Sequence, residues 1–461
     1  MPLTTTYWAE HAWLPTGDAS GAGPGTGPGV VAGVVLDVRD GVVTSVRTGV
    51  AAPPPGAETL RGLTVPGLAN AHSHAFHRAL RGTVQVGTGT FWTWREVMYE
   101  VASRLTPDSY HRLARAVYAE MALAGITSVG EFHYLHHGPG GVRYADPNAM
   151  GEALIAAAGE AGIRITLLDT VYLHGGLGRD GYKPLAGPQL RFGDGDADAW
   201  FERWSRLKPA GLARIGAAVH SVRAFSGADD HTRFAERTDG FPVHIHLSEQ
   251  PAENEACRAV HGRTPARLLA DAGFWKPTVT AVHATHLTEE DIRLLGGAGT
   301  GVCMCPTTER DLADGIGPAV ALGRAGCPLS LGSDSHAVID LLEEARALEL
   351  NERLRTRTRG HWTAAGLLHA ATAAGHASIG WPEAGRLEPG SAADFAAVAL
   401  DSVRTAGPVP GLAAEAVVFA ATAADVTDVV VAGRRVVRDR THTAVPDPAA
   451  ALAAAVAELR G

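Results

Sequence analysis

The sequence is short of cysteine, of lysine and of long apolar runs, and each shortage removes a class of protein. Four cysteines (Cys257, Cys303, Cys305, Cys327) stand in 461 residues with no C-x-x-C pair and no framework spacing. That excludes a disulfide-stapled scaffold and fits a reducing compartment, so a cytoplasmic location is expected. No stretch approaches the ~20 apolar residues that span a bilayer, and the opening MPLTTTYWAEHAW lacks a basic segment followed by an apolar one. Neither a membrane span nor an export signal is expected. Only three of the 40 Lys and Arg residues are lysine, a bias that reads as codon usage rather than chemistry. The net charge of −9 argues against a partner such as nucleic acid or an anionic membrane, because both call for clustered cations. With 46% hydrophobic and 19% charged residues the chain is neither disordered nor collagenous. Histidine is plentiful instead, at 21 copies, and it is the side chain that binds metals and moves protons near neutral pH.

Both ends of the chain read as β structure. Short alternating runs such as VVAGVVLDV and GVVTSVRTGV are bracketed by the glycine- and proline-rich segments 17–29 and 51–56, the first of which reads as a loop. Near the other end ADFAAVAL, VTDVVVAG and RRVVRD are strand-like, the last two meeting at Gly433 as a hairpin would. The alanine-rich tail AALAAAVAELRG reads as a terminal amphipathic helix. Between them, strand-like segments alternate with helical stretches that stop near glycines, which predicts parallel strands in an α/β unit. Eight such strands can be counted, near residues 63–74, 127–134, 163–174, 213–223, 241–250, 278–286, 299–309 and 328–336. Eight closes a (β/α)8 TIM-like barrel. The expected organisation is a barrel over 65–387 and a small composite β-sandwich from 1–64 and 388–461.

Most of these strands turn polar at their carboxyl ends, the end that carries the active site in such barrels. The first ends in His72-Ser73-His74, the fifth carries His244-Ile245-His246, the sixth holds His283, and the eighth reads Gly332-Ser333-Asp334-Ser335-His336. In extended chain, residues i and i+2 share a face, so both imidazoles of an H-x-H can reach one ion. Each motif alone is compatible with polar loop histidines. Together they put imidazole or carboxylate at the catalytic ends of four strands, which packing does not require.

This pattern resembles the amidohydrolase superfamily, and the resemblance covers essentially the whole chain. The segments HSHAFHRALRG, FWTWREVMYE, EFHYLHH, HSVRA, PVHIHLSEQ, VHATH, CPTTERDLADG and GSDSHAV are similar to those of the superfamily branch that hydrolyses N-formimino-L-glutamate. The resemblance implies His72, His74, His246 and Asp334 as ligands of a metal. Binuclear members bridge two ions through a carboxylated lysine or an acidic residue. Lys183, Lys208 and Lys276 sit at no strand's carboxyl end in this reading, so a single ion is expected. Zinc is preferred over iron because no redox step is implied.

The implied reaction is hydrolytic deimination of N-formimino-L-glutamate to N-formyl-L-glutamate and ammonia. Asp334 would serve as base toward a metal-activated water, Glu249 as acid toward the leaving nitrogen, and His283 would orient the attacking oxygen. For the two substrate carboxylates, Arg223 is a bidentate fork, and Arg95 is a second candidate that equally fits packing over Trp92 or Trp94. The resemblance adds Tyr134, His220 and His77 as substrate contacts, His77 standing where it leads to a glutamine. His133, His136, His137 and His244 read as neighbours rather than ligands, and Cys303 and Cys305 as packing. A homodimer is the assembly that the resemblance implies. Two alternatives remain open: a superfamily deaminase acting on a purine, pyrimidine or adenosylhomocysteine-like ring, and a non-catalytic barrel serving as a scaffold.

Overall fold

A computed structural model describes residues 4–14 and 29–460. The expected loop of residues 17–29 lies outside the described residues up to residue 28. Two large sheets and a two-stranded ribbon organise the chain. The first sheet takes β1 (Thr4–Leu14), β2 (Gly29–Arg39), β3 (Val42–Arg47) and β4 (Glu58–Pro66) from the amino-terminal end. The carboxyl-terminal end supplies β15 (Phe395–Val398), β16 (Val426–Val431), β17 (Arg434–Arg438) and β18 (Thr441–His442). Their order is β3-β2-β1-β4-β15-β16-β17-β18, so the termini interleave at the β4–β15 pair. The sheet rolls on itself, because the amide of Val43 donates to Ser391 O and that of Ala393 to Gly41 O. The roll encloses Tyr7, Val34, Leu36, Leu60, Phe395 and Val430, with Tyr7 edge-on to Phe395 at 5.1 Å. The hairpin at Gly433 forms as expected, with Ala432 and Gly433 both at positive φ.

The second sheet is the barrel: β5 (Leu68–Ser73), β6 (Ile126–His133), β7 (Arg164–Val171), β10 (Ala213–Val219), β11 (Val243–Leu247), β12 (Val279–His283), β13 (Gly301–Met304) and β14 (Leu329–Leu331). All seven neighbouring pairs are parallel. Strands β6 and β7 are buried along their whole length, as strands covered by helices on one face and a filled barrel on the other must be. The ribbon is β8 (Gly176–Gly178) with β9 (Gly181–Lys183), inserted after β7. The eight strands counted in the sequence are these eight. What the sequence ran together at 63–74 is two strands, β4 and β5, broken at Gly67. Its amide donates to Asp394 O, and a Cβ there would lie 2.1 Å from Thr127 Oγ1.

Asp394 also joins the two sheets. Fully buried, it takes a two-point contact from Arg164 of β7 at 2.6 and 3.1 Å and accepts the amide of Ala432 at 2.7 Å. The tail helix Pro448–Arg460 buries Leu452, Ala455 and Leu459 against the barrel, one apolar stripe at helical spacing. All four cysteines are free and buried. Among the described residues no helix is long and apolar enough to cross a membrane.

Candidate metal centre and active site

The barrel closes through the residues singled out by the motifs. The amide of Asp334 donates to His72 O at 3.0 Å and that of His74 to Asp334 O at 3.3 Å, so the first and last strands meet at the site itself. His74 and His246 are oriented from behind: the Nδ1–H of His74 donates to Phe132 O, and that of His246 to His220 O, both at 2.9 Å. Each therefore turns a bare Nε2 inward. His72 Nε2 lies 3.1 Å from His246 Nε2, and Asp334 Oδ1 is 3.4 Å from both His72 Nε2 and His74 Nε2. Burial pushes His72 down to about 3 and lowers His74 and His246 too, so all three are neutral donors at pH 7. Glu131 braces the loop between them, accepting from Ser73 Oγ at 2.7 Å and the Ala75 amide at 2.6 Å. The donor set, three neutral imidazoles and a carboxylate, fits a divalent ion that keeps an open position.

Three groups of side chains among the described residues could hold a metal: His72, His246, His283 and Asp334; His74, His77 and Asp334; and His133, His136 and Asp169. The sequence-derived set draws on the first two. His283 differs in charge. Burial opposes its protonation, but Glu249, Glu309 and Asp334 around it lift it to about 10, which makes it the cationic imidazole beside the three neutral ones. In the third group the Arg203 guanidinium already sits 2.8 Å from Asp169, where a second cation would be repelled.

The acid–base residues face this centre. His283 Nε2 is 3.7 Å from Glu249 Oε1 and 3.7 Å from Asp334 Oδ2, while its Nδ1 is 3.5 Å from Glu309 Oε1. Burial raises Glu249 toward its neutral form against the opposing charges of His283 and Arg223. Arg223 bridges Glu249 at 3.5 Å and Glu253 at 3.1 Å, and Ser221 steadies its Nε at 3.2 Å. Ser248, His283, Ala284, Asp334 and His336 all hold positive φ without being glycine. Such conformations cost about 1–3 kcal/mol each, and here they gather at the carboxyl ends of β11, β12 and β14.

A cavity of about 180 Å³ opens onto the centre, walled by Trp94, Tyr99, Tyr134, Tyr172 and Phe192 and by the polar groups His77, Arg95, His220, Arg223 and Glu249. A sequence model of the Amidohydrolase family matches residues 63–436. The chain belongs to this family. The amidohydrolase is 37% identical over 433 residues to a formimidoylglutamate deiminase of Pseudomonas aeruginosa, covering 91% of this chain and 94% of that one. It is 31% identical to an 8-oxoguanine deaminase of the same organism, over 75% and 76% of the two chains. Among solved structures it is similar to an amidohydrolase from Brucella melitensis, with a TM-score of 0.86, 31% identity, and coverage of 99% and 100%. Family membership makes the chain a hydrolase and sets aside the scaffold reading.

Every residue assigned from the sequence lies at this end of the barrel. His77 donates or accepts with Tyr134 at 3.0 Å, and its ring lies 4.5 Å from that of His74. Arg95 stacks on Trp92 at 4.5 Å and approaches Tyr99 at 5.6 Å, so the packing role weighed for it and a cavity position hold together. His244 sits two residues before His246 and bonds Ser378 O at 3.0 Å. His133, His136 and His137 form a buried polar network with Asp169, Asp194 and Arg203 instead of lining the cavity. One expectation needs correction. Lys183 does close a strand, β9 of the ribbon, and it lines the cavity from above the barrel. Glu253, Glu309 and Tyr172 were not anticipated. The Glu of CPTTE was visible in the sequence, but its partner His283 lies on a different strand.

Proposed function

We propose that this amidohydrolase binds one zinc ion per subunit through His72, His74, His246 and Asp334 and converts N-formimino-L-glutamate and water to N-formyl-L-glutamate and ammonia. The observation that carries the reading is the placement of buried Arg223, a carboxylate fork, in the same cavity as Glu249 and the ligand set. The 37% identity to a formimidoylglutamate deiminase along nearly the full chain supports it. A bound zinc ion would lower the pKa of a water and supply a nucleophile at neutral pH. Asp334 Oδ2 takes the proton of the attacking water. His283 Nε2–H, 3.7 Å from Asp334 Oδ2, would favour the negative charge that develops on the attacking oxygen. The neutral Glu249 carboxyl gives its proton to the imino nitrogen as the oxygen adds. Asp334 passes on the proton that it took, so that this nitrogen leaves as ammonia rather than an amide anion, and the hydroxyl proton of the collapsing tetrahedral centre returns to Glu249 as the formyl C=O forms. Arg223, with His220 and Tyr134, holds the carboxylate nearest the reacting carbon.

A second reading has its own support. The aromatic walls of the cavity would suit a planar ring, and the 8-oxoguanine deaminase is a relative at 31% identity. Ammonia release from N-formimino-L-glutamate, compared with 8-oxoguanine, guanine, cytosine and adenosine, decides between them. The proposal expects the highest kcat/KM on the acyclic dianion, and faster turnover of any nucleobase would overturn it.

Glu309 acts through His283, and its replacement gives a test of the mechanism. Glu309→Gln is expected to lower kcat by about 10–100-fold, the range for a group that orients a site residue from behind, with KM near the parent value. A variant with unchanged kcat would show that the His283 ring is held by other contacts.

A further inference from the structure

The cavity's charge balance leaves one cation without a role. Arg223 is matched by Glu249 and Glu253, so this trio brings no surplus positive charge toward a dianion. Among the described residues Arg95 makes only ring contacts. Lys183 lines the same cavity and makes no ion pair among the described residues, whereas Lys276 is 2.8 Å from Asp239.

Its position is built. The carbonyl of Lys183 accepts the Gly175 amide at 2.8 Å. Gln189 fixes the same corner, donating to Gly175 O at 3.0 Å and to Tyr99 OH at 2.9 Å. A Cβ on Gly175 would lie 2.4 Å from Pro184 O, so the close approach demands glycine. Tyr182 turns away, bonding His261 at 3.0 Å and packing on His174 at 4.6 Å. Strand alternation then sends Lys183 toward the cavity. Arg95 and Lys183 line the same cavity, and Gln189 ties the ribbon to the ring that Arg95 approaches, bonding both Gly175 O and Tyr99 OH.

We propose that Lys183 is a substrate-binding residue that, with Arg95, holds the outer carboxylate of a dianionic substrate while Arg223 holds the inner one. This rests on the acyclic dianion of the functional reading. In N-formimino-L-glutamate the α-carboxylate is adjacent to the reacting group and the γ-carboxylate is the outer one, so the ribbon selects for side-chain length and charge.

The test uses the zinc-loaded full chain, with Lys183→Met and Lys183→Arg assayed on N-formimino-L-glutamate and on N-formimino-L-2-aminobutyrate, which lacks the outer carboxylate. K183M is expected to raise KM on the dianion by about twofold to fivefold, the scale of one exposed charge pair, with kcat within about twofold. K183R should restore most of the loss. On the monoanion K183M should match the parent enzyme, and the parent's KM on the dianion should rise more steeply with salt than that of K183M. Equal losses on both substrates, or an unchanged KM on the dianion, would overturn the role of Lys183 while leaving the function intact. Failure of the parent enzyme to release ammonia from N-formimino-L-glutamate would overturn the functional reading, and this inference with it.

Discussion

Glu249→Gln should lower kcat by about two to four orders of magnitude, the usual contribution of a positioned proton donor, with little change in zinc content or KM. The side chain is 8% exposed and held between two cations, with Oε1 3.7 Å from His283 Nε2 and Oε2 3.5 Å from Arg223 Nη2. Glutamine keeps the shape, and its carbonyl still accepts from Arg223. It has no acidic proton to give, so the nitrogen would have to depart unprotonated. The substitution thus separates proton delivery from packing and from metal binding, because the four ligand candidates lie on other residues. Steady-state kinetics and zinc analysis on the same preparation read both quantities. Loss of zinc with activity would make Glu249 part of the metal site, and a kcat within about fivefold of the parent would assign the proton to another donor.

Much of the barrel was legible because its physics is local. A buried parallel strand is an apolar run of four to eight residues, and the chemistry sits where that run turns polar. Hence His72, His74, His246, His283 and Asp334 could each be placed at a strand end without knowing the fold's details. Arg223 was visible for the same reason. Its partner Glu253 was not, because their pairing depends on β10 lying beside β11 and on the helix that begins at Pro251. Glu309 reaches His283 across neighbouring strands β12 and β13, a contact that no spacing along the chain encodes. Lys183 was discounted because the sequence argument concerned barrel strands, whereas the ribbon is an insertion above them. The left-handed backbone of His283 and Asp334 was equally hidden: Asp and His enter that region more often than most non-glycine residues, but too rarely for the residue type to locate it. What the sequence misses is therefore the layer that orients the site, which exists only once the strands are side by side.

That layer also yields the largest expected loss of stability. Arg203, 5% exposed, reaches Asp169 at 2.8 Å through both terminal nitrogens and Asp194 at 3.0 Å through Nε, and donates to Asn148 Oδ1 at 3.1 Å. Trp200 Nε1 completes the shell of Asp169 at 2.8 Å, and His137 Nε2 stands 3.0 Å from Asp194. Burial would raise both carboxyls. For Asp169 the charge of Arg203 wins, and for Asp194 the contact from His137 and the charge of Arg203 win, so both end below the ordinary value. Arg203→Met leaves two carboxylates buried with no guanidinium, a defect worth about 3–5 kcal/mol for a broken buried pair. The sign of its pH dependence follows from linkage. Depressed carboxyls contribute stability that is present above the unfolded value of about 3.9 and lost as the pH falls through their folded values. In the variant the same carboxyls should titrate above 3.9, and protonation relieves them. The gap in denaturant midpoint between parent and R203M should therefore be widest near pH 7 and narrow as the pH is lowered toward 4. A gap under about 1 kcal/mol at pH 7, or one that does not narrow, would mean that the network is not electrostatically balanced by Arg203. Because Tyr134 lies between His133 and His136 of this network, R203M protein that remains folded should also bind substrate more weakly, which ties the barrel's stability to the wall of its active site.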